Sequence, residues 1–243
     1  MNITTQSVIG ELVAQDYRVA PVFQSYGIDF CCKGGRTIGE ACEAKKLAPQ
    51  QVIDSLLKRV GEDTDKATDY RSWPLDLLTE YIEKIHHSYV ENKVAEIKPF
   101  LHKIVQVHGQ SHPELAKIET LFNQSAGELA MHMKKEEMIL FPYIRKMVKA
   151  TNTRESLPEP PFGSVSNPIA MMHHEHDSEG ERFREIARLS GDYNPPADAC
   201  NTYRVTFAML KEFEEDLHLH IHLENNILFP KALELEKSTR ANV

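Results

Sequence analysis

Several things are scarce in this chain of 243 residues, and each scarcity removes a class of function. Basic residues are outnumbered, 28 Lys and Arg against 36 Asp and Glu, with no long basic run. An electrostatic footprint for nucleic acid is therefore not expected. No stretch of about eighteen apolar residues occurs, so no membrane-spanning helix is expected. The N-terminal "MNITTQSVIGELVAQDYRV" lacks both the basic start and the unbroken apolar stretch of a signal peptide, which points to a cytoplasmic protein. Four cysteines, Cys31, Cys32, Cys42 and Cys200, are too few for a disulfide framework in a chain this long. The alternating pattern of β-strands is almost absent, and helical punctuation takes its place.

The helical signals divide the chain. Residues 1–60 read as a small module of short helices: "SVIGELVAQ", "RVAPVFQSY" stopped by Gly27, "TIGEACEAKKL" opened by Thr37 and Glu40 at capping-box spacing, and "PQQVIDSLLKRV" with Pro49 in the first turn. Residues 61–74 read as a polar linker. From 75 to 238 the segments lengthen. One helix runs from about Leu75 toward His108 and bends near Pro99. A second runs from about Glu114 to Lys149, with a kink or early end at Pro142. The Pro- and Ser-rich "TNTRESLPEPPFGSVSNP" serves as a crossover. A third helix starts at Asn167 and Pro168, and a fourth runs from about Ala197 to Glu236. The expected fold is all-α, a small helical module followed by a four-helix bundle.

Inside the bundle one fragment occurs twice. "HMKKEEMILFP" at 132–142 and "HIHLENNILFP" at 220–230 agree at six of eleven positions, 88 residues apart. Steps of three or four from His132 reach Leu129, Glu136, Ile139, Leu140 and Tyr143; from His220 they reach Leu210, Phe213, Leu217, Glu224, Ile227 and Leu228. Each His–Glu pair thus lies in an apolar stripe. A solvated i,i+4 pair contributes only a few tenths of a kcal/mol and is commonplace. Two carboxylates on core-facing stripes need something cationic beside them, and a metal supplies it. On the first long helix His86 shares the stripe of Leu75, Leu78, Ile82, Tyr89 and Val90, while His87 is turned about 100° away. On the third, in "MMHHEHDSEG", the stripe favours His176, with His173 second; a strict repeat would instead pair His86 with His174. Four imidazoles and two carboxylates exceed the needs of one tetrahedral zinc and suit two metals bridged by carboxylates, iron before manganese or zinc. Two ferrous ions less two carboxylates leave a formal charge of about +2, and two ferric ions with an oxo bridge give the same figure.

The order His-x-x-x-Glu followed by "ILFP" differs from the ferritin-like motif, in which Glu precedes His by three. With "GIDFCCKGG", "TIGEAC" and "EHD", it makes nearly the whole chain resemble the iron-sulfur cluster repair family of di-iron proteins, the hemerythrin-like repair-of-iron-centres type represented by ScdA and YtfE. The resemblance implies two iron ions, oxo- or hydroxo-bridged when oxidised, on His86, His132, Glu136, His176, His220 and Glu224, with both glutamates bridging. It also implies repair of iron-sulfur proteins damaged by nitrosative or oxidative stress, by donation of iron from a labile centre. Nitric oxide reduction or scavenging at the same centre is the alternative, and an oxygen carrier or sensor the third reading.

Cys31 and Cys32 sit between glycines beside Lys33 and Arg36. Adjacent Cα atoms, about 3.8 Å apart, suit a disulfide poorly, so free thiols are expected. One of the pair can be a small buried apolar residue. Alternatively the two form a thiol relay, a transient acceptor for iron or nitric oxide, with Lys33 and Arg36 favouring thiolate. Cys42 and Cys200 read as buried thiols. The N-terminal module offers a surface for docking or for a homodimer.

Overall fold

The computed structural model describes residues 3–61, 68–153, 155, 157 and 159–241. The N-terminal module contains α1 (Ile9–Gln15), α2 (Ala20–Ser25), α3 (Ile38–Lys45) and α4 (Pro49–Gly61). α3 begins on a true capping box: Glu40 N–H donates to Thr37 Oγ1 at 3.2 Å, and Thr37 N–H to Glu40 Oε2 at 2.8 Å. No strand forms among the described residues; Val8 and Thr37 make one isolated antiparallel bridge.

The bundle begins with α5 (Leu75–Tyr81), which continues through a π-helical turn, Ile82–His87, into α6 (Ser88–His108). α6 runs on through Pro99, so the expected interruption lies a dozen residues earlier than the proline. α7 (Glu114–Lys135), the π turn Glu136–Leu140 and α8 (Phe141–Thr153) form the second long helix. α9 (Ser166–Leu189) is the third. α10 (Asn201–Leu223), the π turn Glu224–Leu228 and α11 (Phe229–Ala241) make the fourth.

Phe122 of α7, Phe183 of α9 and Phe213 of α10 interlock at one end, with ring centroids 5.4 and 5.6 Å from Phe213. Each such ring contributes about 2–3 kcal/mol by burial. At the other end Ile82, Phe141, Ile144, Met172, Leu228 and Phe229 form a second apolar cluster. The core is thus in two parts, and the buried histidines of the bundle, with Glu136 and Glu224, fall between them.

The N-terminal module is not a separate lobe. Its Ile9, Phe23, Phe30, Ile38 and Leu56 share one continuous core with Leu101, Phe183, Phe213 and Leu217 of the bundle. Residues 62–67 of the expected linker lie outside the described residues. Beyond them Tyr70 and Trp73 pack on Tyr81, with centroids 5.7 and 5.1 Å away, so this stretch is anchored on α5. No helix among the described residues is long and apolar enough to cross a membrane.

Candidate metal centre

The duplicated fragment explains the local backbone. Pro142 and Pro230 lack an N–H, and in an α-helix their rings would meet the carbonyls of Met138 and Asn226. The chain widens instead. Phe141 N–H closes on Glu136 O, and Phe229 N–H on Glu224 O, each five residues back. Glu136 and Glu224 therefore open matching π turns, the kind of bulge that often marks functional sites.

The third π turn, Ile82–His87, changes which histidine reaches the interior. In such a turn the residue beneath Ile82 is five positions on, His87, rather than four, His86. His87, not the expected His86, joins the convergent donors. His86 is buried as well, but its Nδ1 lies 3.0 Å from Asp216 Oδ1 and none of its atoms belongs to the donor groups. The other five expected residues do converge, in two sets: His87, Glu136, His220 and Glu224; and His132, Glu136, His176 and Glu224. Within each set the donor atoms lie within 4.8 Å of one another, and both glutamates belong to both. Half-buried His173 and exposed His174 stay outside.

The spacings are those of ligand edges. His132 Nε2 and His87 Nε2 lie 3.5 and 3.4 Å from Glu136 Oε2; His176 Nε2 lies 3.1 Å from Glu224 Oε2, and His220 Nε2 3.1 Å from Glu224 Oε1. Two donors about 2.1 Å from one cation, at 90–110° to each other, are separated by about 3.0–3.4 Å. The Nε2 atoms of His132 and His176 face each other at 3.1 Å. Neither oxygen of fully buried Glu136 has a hydrogen-bond partner, nor does Glu224 Oε2. Such orphaned oxygens are costly unless a cation meets them, so the donor set fits a metal site.

Electrostatics agree. Burial, with the Glu224 charge added, pushes the Glu136 carboxyl well above its usual range. Burial opposes ionisation of Glu224 too, yet His220 and His176 hold its carboxyl low. Burial also disfavours charge on His87, but the contact with Glu136 outweighs it and raises the imidazole. His220 is pushed down to about 4 by burial. Among the described residues the ion-pair partners of both glutamates are histidines, not lysine or arginine.

Partners outside the donor set fix the rings. His87 Nδ1 lies 2.9 Å from Glu137 Oε1, His132 Nδ1 2.8 Å from Glu175 Oε2, and His176 Nδ1 2.8 Å from Asn225 Oδ1. Each Nε2 is thereby left to face the cluster, as metal-ligating histidines require. Helical periodicity does not single out these three partners. The one available signal was that each adjoins a donor in sequence, at Glu136, His176 and Glu224.

The cysteine loop lies against this site. Cys31 O accepts from Asn225 Nδ2 at 3.3 Å and from Asn226 Nδ2 at 3.1 Å; Cys32 Sγ donates to His176 O at 3.4 Å. Glycines on both sides allow the close approach. A Cβ on Gly180 would stand 3.2 Å from Cys32 Sγ, and one on Gly34 2.7 Å from Asn226 Oδ1. The sulfurs are 3.8 Å apart, as free thiols. Lys33 and Arg36 do not draw Cys31 toward thiolate. Sharing a hydrogen bond with Cys32, together with burial, pushes the Cys31 thiol well up, while Lys33 turns toward Glu181, 3.9 Å away. Arg184 binds Asp29 Oδ2 at 3.0 Å, and Asp29 Oδ1 gathers the N–H groups of Cys31, Cys32 and Lys33. Cys42 is buried as expected, whereas Cys200 is exposed. Half-buried His218 and buried His222 pack against Phe30 of the module, at centroid distances of 5.9 Å, and desolvation lowers them to about 4 and about 3.

Comparison with known proteins places this arrangement. Residues 5–59 match ScdA_N, a domain of unknown function (DUF542), and residues 78–232 match the hemerythrin HHE cation binding domain. The iron-sulfur cluster repair protein ScdA of Staphylococcus haemolyticus is 30% identical over 230 residues, 94% of this chain and 99% of the relative. The iron-sulfur cluster repair protein YtfE of Musicola paradisiaca is 32% identical over 225 residues (93% and 95%), and that of Pectobacterium atrosepticum 33% over 229 (93% and 96%). With an ScdA_N domain packed onto a hemerythrin HHE bundle, the chain belongs to the ScdA and YtfE family of iron-sulfur cluster repair proteins.

Proposed function

We propose that the buried cluster holds two iron ions and that the protein repairs damaged iron-sulfur proteins by giving up iron from this centre. His87 and His220 hold one ion, His132 and His176 the other, and Glu136 and Glu224 are shared between them. The observation that carries the reading is this sharing: each glutamate belongs to both donor sets, which one cation does not require. Six protein donors for two ions leave coordination positions open, which favours a labile cargo. Iron at such a site supplies a redox-active Lewis acid able to take small ligands such as nitric oxide or oxygen.

The chain's own residues orient and screen. Glu137, Glu175 and Asn225 hold three imidazoles by Nδ1, and the apolar clusters above and below exclude water. Cys31 and Cys32 act in this reading as a thiol relay. Their backbone and sulfur contacts to Asn225 and His176 place them beside the cluster, with Cys32 the more accessible of the two.

The decisive experiment incubates iron-loaded protein with an enzyme whose cluster nitric oxide has damaged. Activity should return as iron leaves the donor, at about two irons per chain. Equal recovery with a Glu136→Leu, Glu224→Leu double variant would sink the proposal.

A further inference from the structure

Three of the four histidines in the donor sets have Nδ1 on a polar partner, but His220 does not; its Nδ1 is buried and unpartnered. Its ring nevertheless has one defined plane, set by a neighbour outside the donor sets. The His86 ring lies parallel to it, at an interplanar angle of 13° and a centroid separation of 5.5 Å. That separation is within the range of attractive offset stacks. His86 is itself pinned twice. Its Nδ1 lies 3.0 Å from Asp216 Oδ1, and the Tyr81 ring meets its edge with centroids 5.5 Å apart.

Asp216 and His220 are four residues apart on α10, hence on the same face one turn from each other. The contacts close a triangle: Asp216 reaches across to His86, and His86 lies back against His220. With both ends on α10, the clamp fixes the His220 imidazole relative to that helix for as long as the π turn holds His86 against it. His86 is 1% exposed, and its Nε2 has no partner, a cost that a phenylalanine or leucine packed there would not incur. A packing role alone leaves the imidazole unexplained. Its Nδ1 is the atom that Asp216 holds.

We infer that Asp216 and His86 are positioning residues for His220, doing by ring stacking what Glu137, Glu175 and Asn225 do by hydrogen bonds for the other three histidines. The inference rests on the metal-centre reading above, and it makes the two cations unequal. The one on His87 and His220 depends on the clamp; the one on His132 and His176 does not.

The test compares the full-length wild type with His86→Ala, Asp216→Ala and His86→Phe, each loaded with ferrous iron and challenged with a ferrous chelator. In His86→Ala one iron per chain should leave about tenfold to a hundredfold faster, the range typical of lost ligand-orienting partners, while the second leaves at the wild-type rate. Asp216→Ala should show a smaller acceleration of the same iron, and His86→Phe, which restores a ring without the anchor, should recover part of the loss. Unchanged release, or equal acceleration of both irons, overturns the clamp. Side-chain NMR of the histidines in metal-free protein tests it independently of iron: His86→Ala should broaden or split the His220 signals and leave those of His132 and His176 in place. Unaltered His220 signals would again overturn it. If wild type holds no iron but the His220 signals respond, the metal reading fails and the clamp stands.

Discussion

At Glu136 folding and ligation oppose each other, because the side chain is fully buried, both oxygens lack a hydrogen-bond donor, and burial pushes the carboxyl well above its usual range. A buried polar group left without a hydrogen-bond partner costs about 1–3 kcal/mol, a cost that an apolar side chain of similar size does not carry. Glu136→Leu should therefore raise the denaturation midpoint of metal-free protein while reducing bound iron, measured by chemical unfolding and metal analysis. A midpoint lower than wild type would show that the carboxyl is satisfied after all. Glu214 shows a related effect away from the cluster. Burial lifts it to about 7 from 4.5, so between those values the unfolded chain ionises while the folded one stays protonated. Stability should fall as pH rises through that window and level off above it, by roughly 3 kcal/mol in total. Glu214→Gln should flatten the profile, gaining stability at pH 8 and little at pH 4.

Among the elements, the π turns mark the limit of what the sequence can say. Stepping by three and four found His132, Glu136, His176, His220 and Glu224, because up to those residues the helices keep the ordinary period. The same step gave His86 for His87, because the turn beginning at Ile82 carries no proline to announce it. The prolines at 142 and 230 did announce theirs, and a kink was expected at Pro142, although not its form. Glu137, Glu175 and Asn225 stayed illegible for another reason: each adjoins a donor and so projects about 100° away, and only the approach of a neighbouring helix makes it a partner. Helix α9 yields a prediction of its own. Gly180→Leu would drive a side chain into Cys32 Sγ and the Arg184 guanidinium, which stand 3.2–3.5 Å from an added Cβ. Alkylation of Cys32, followed by mass spectrometry, should speed up about tenfold as the loop lifts, a shift of about 1.4 kcal/mol in its closure. An unchanged rate would mean that the loop is not held against α9.

For the whole molecule, the all-α architecture was readable from punctuation alone, but the union of the two domains was not. The stretch after α4 reads as a polar linker and says nothing of how the two parts meet, whereas in the fold Phe30 and Leu56 share a core with Phe213 and Leu217. Compatible apolar faces on two segments leave no mark in either one. Metal loading should act on the united body: at a free iron concentration a thousandfold above the dissociation constant, each site adds about 4 kcal/mol, or on the order of 8–16 °C in a chain of this size. Calorimetry with and without iron checks this, and coincident melting curves would count against tight binding. The two-part core has a mechanical corollary. The bundle is a pair of greasy blocks joined at a charged waist, and without cations that waist is its least cohesive cross-section. Amide exchange should accordingly slow on iron loading chiefly at 82–87, 136–140 and 224–228, while the blocks at either end exchange much as before.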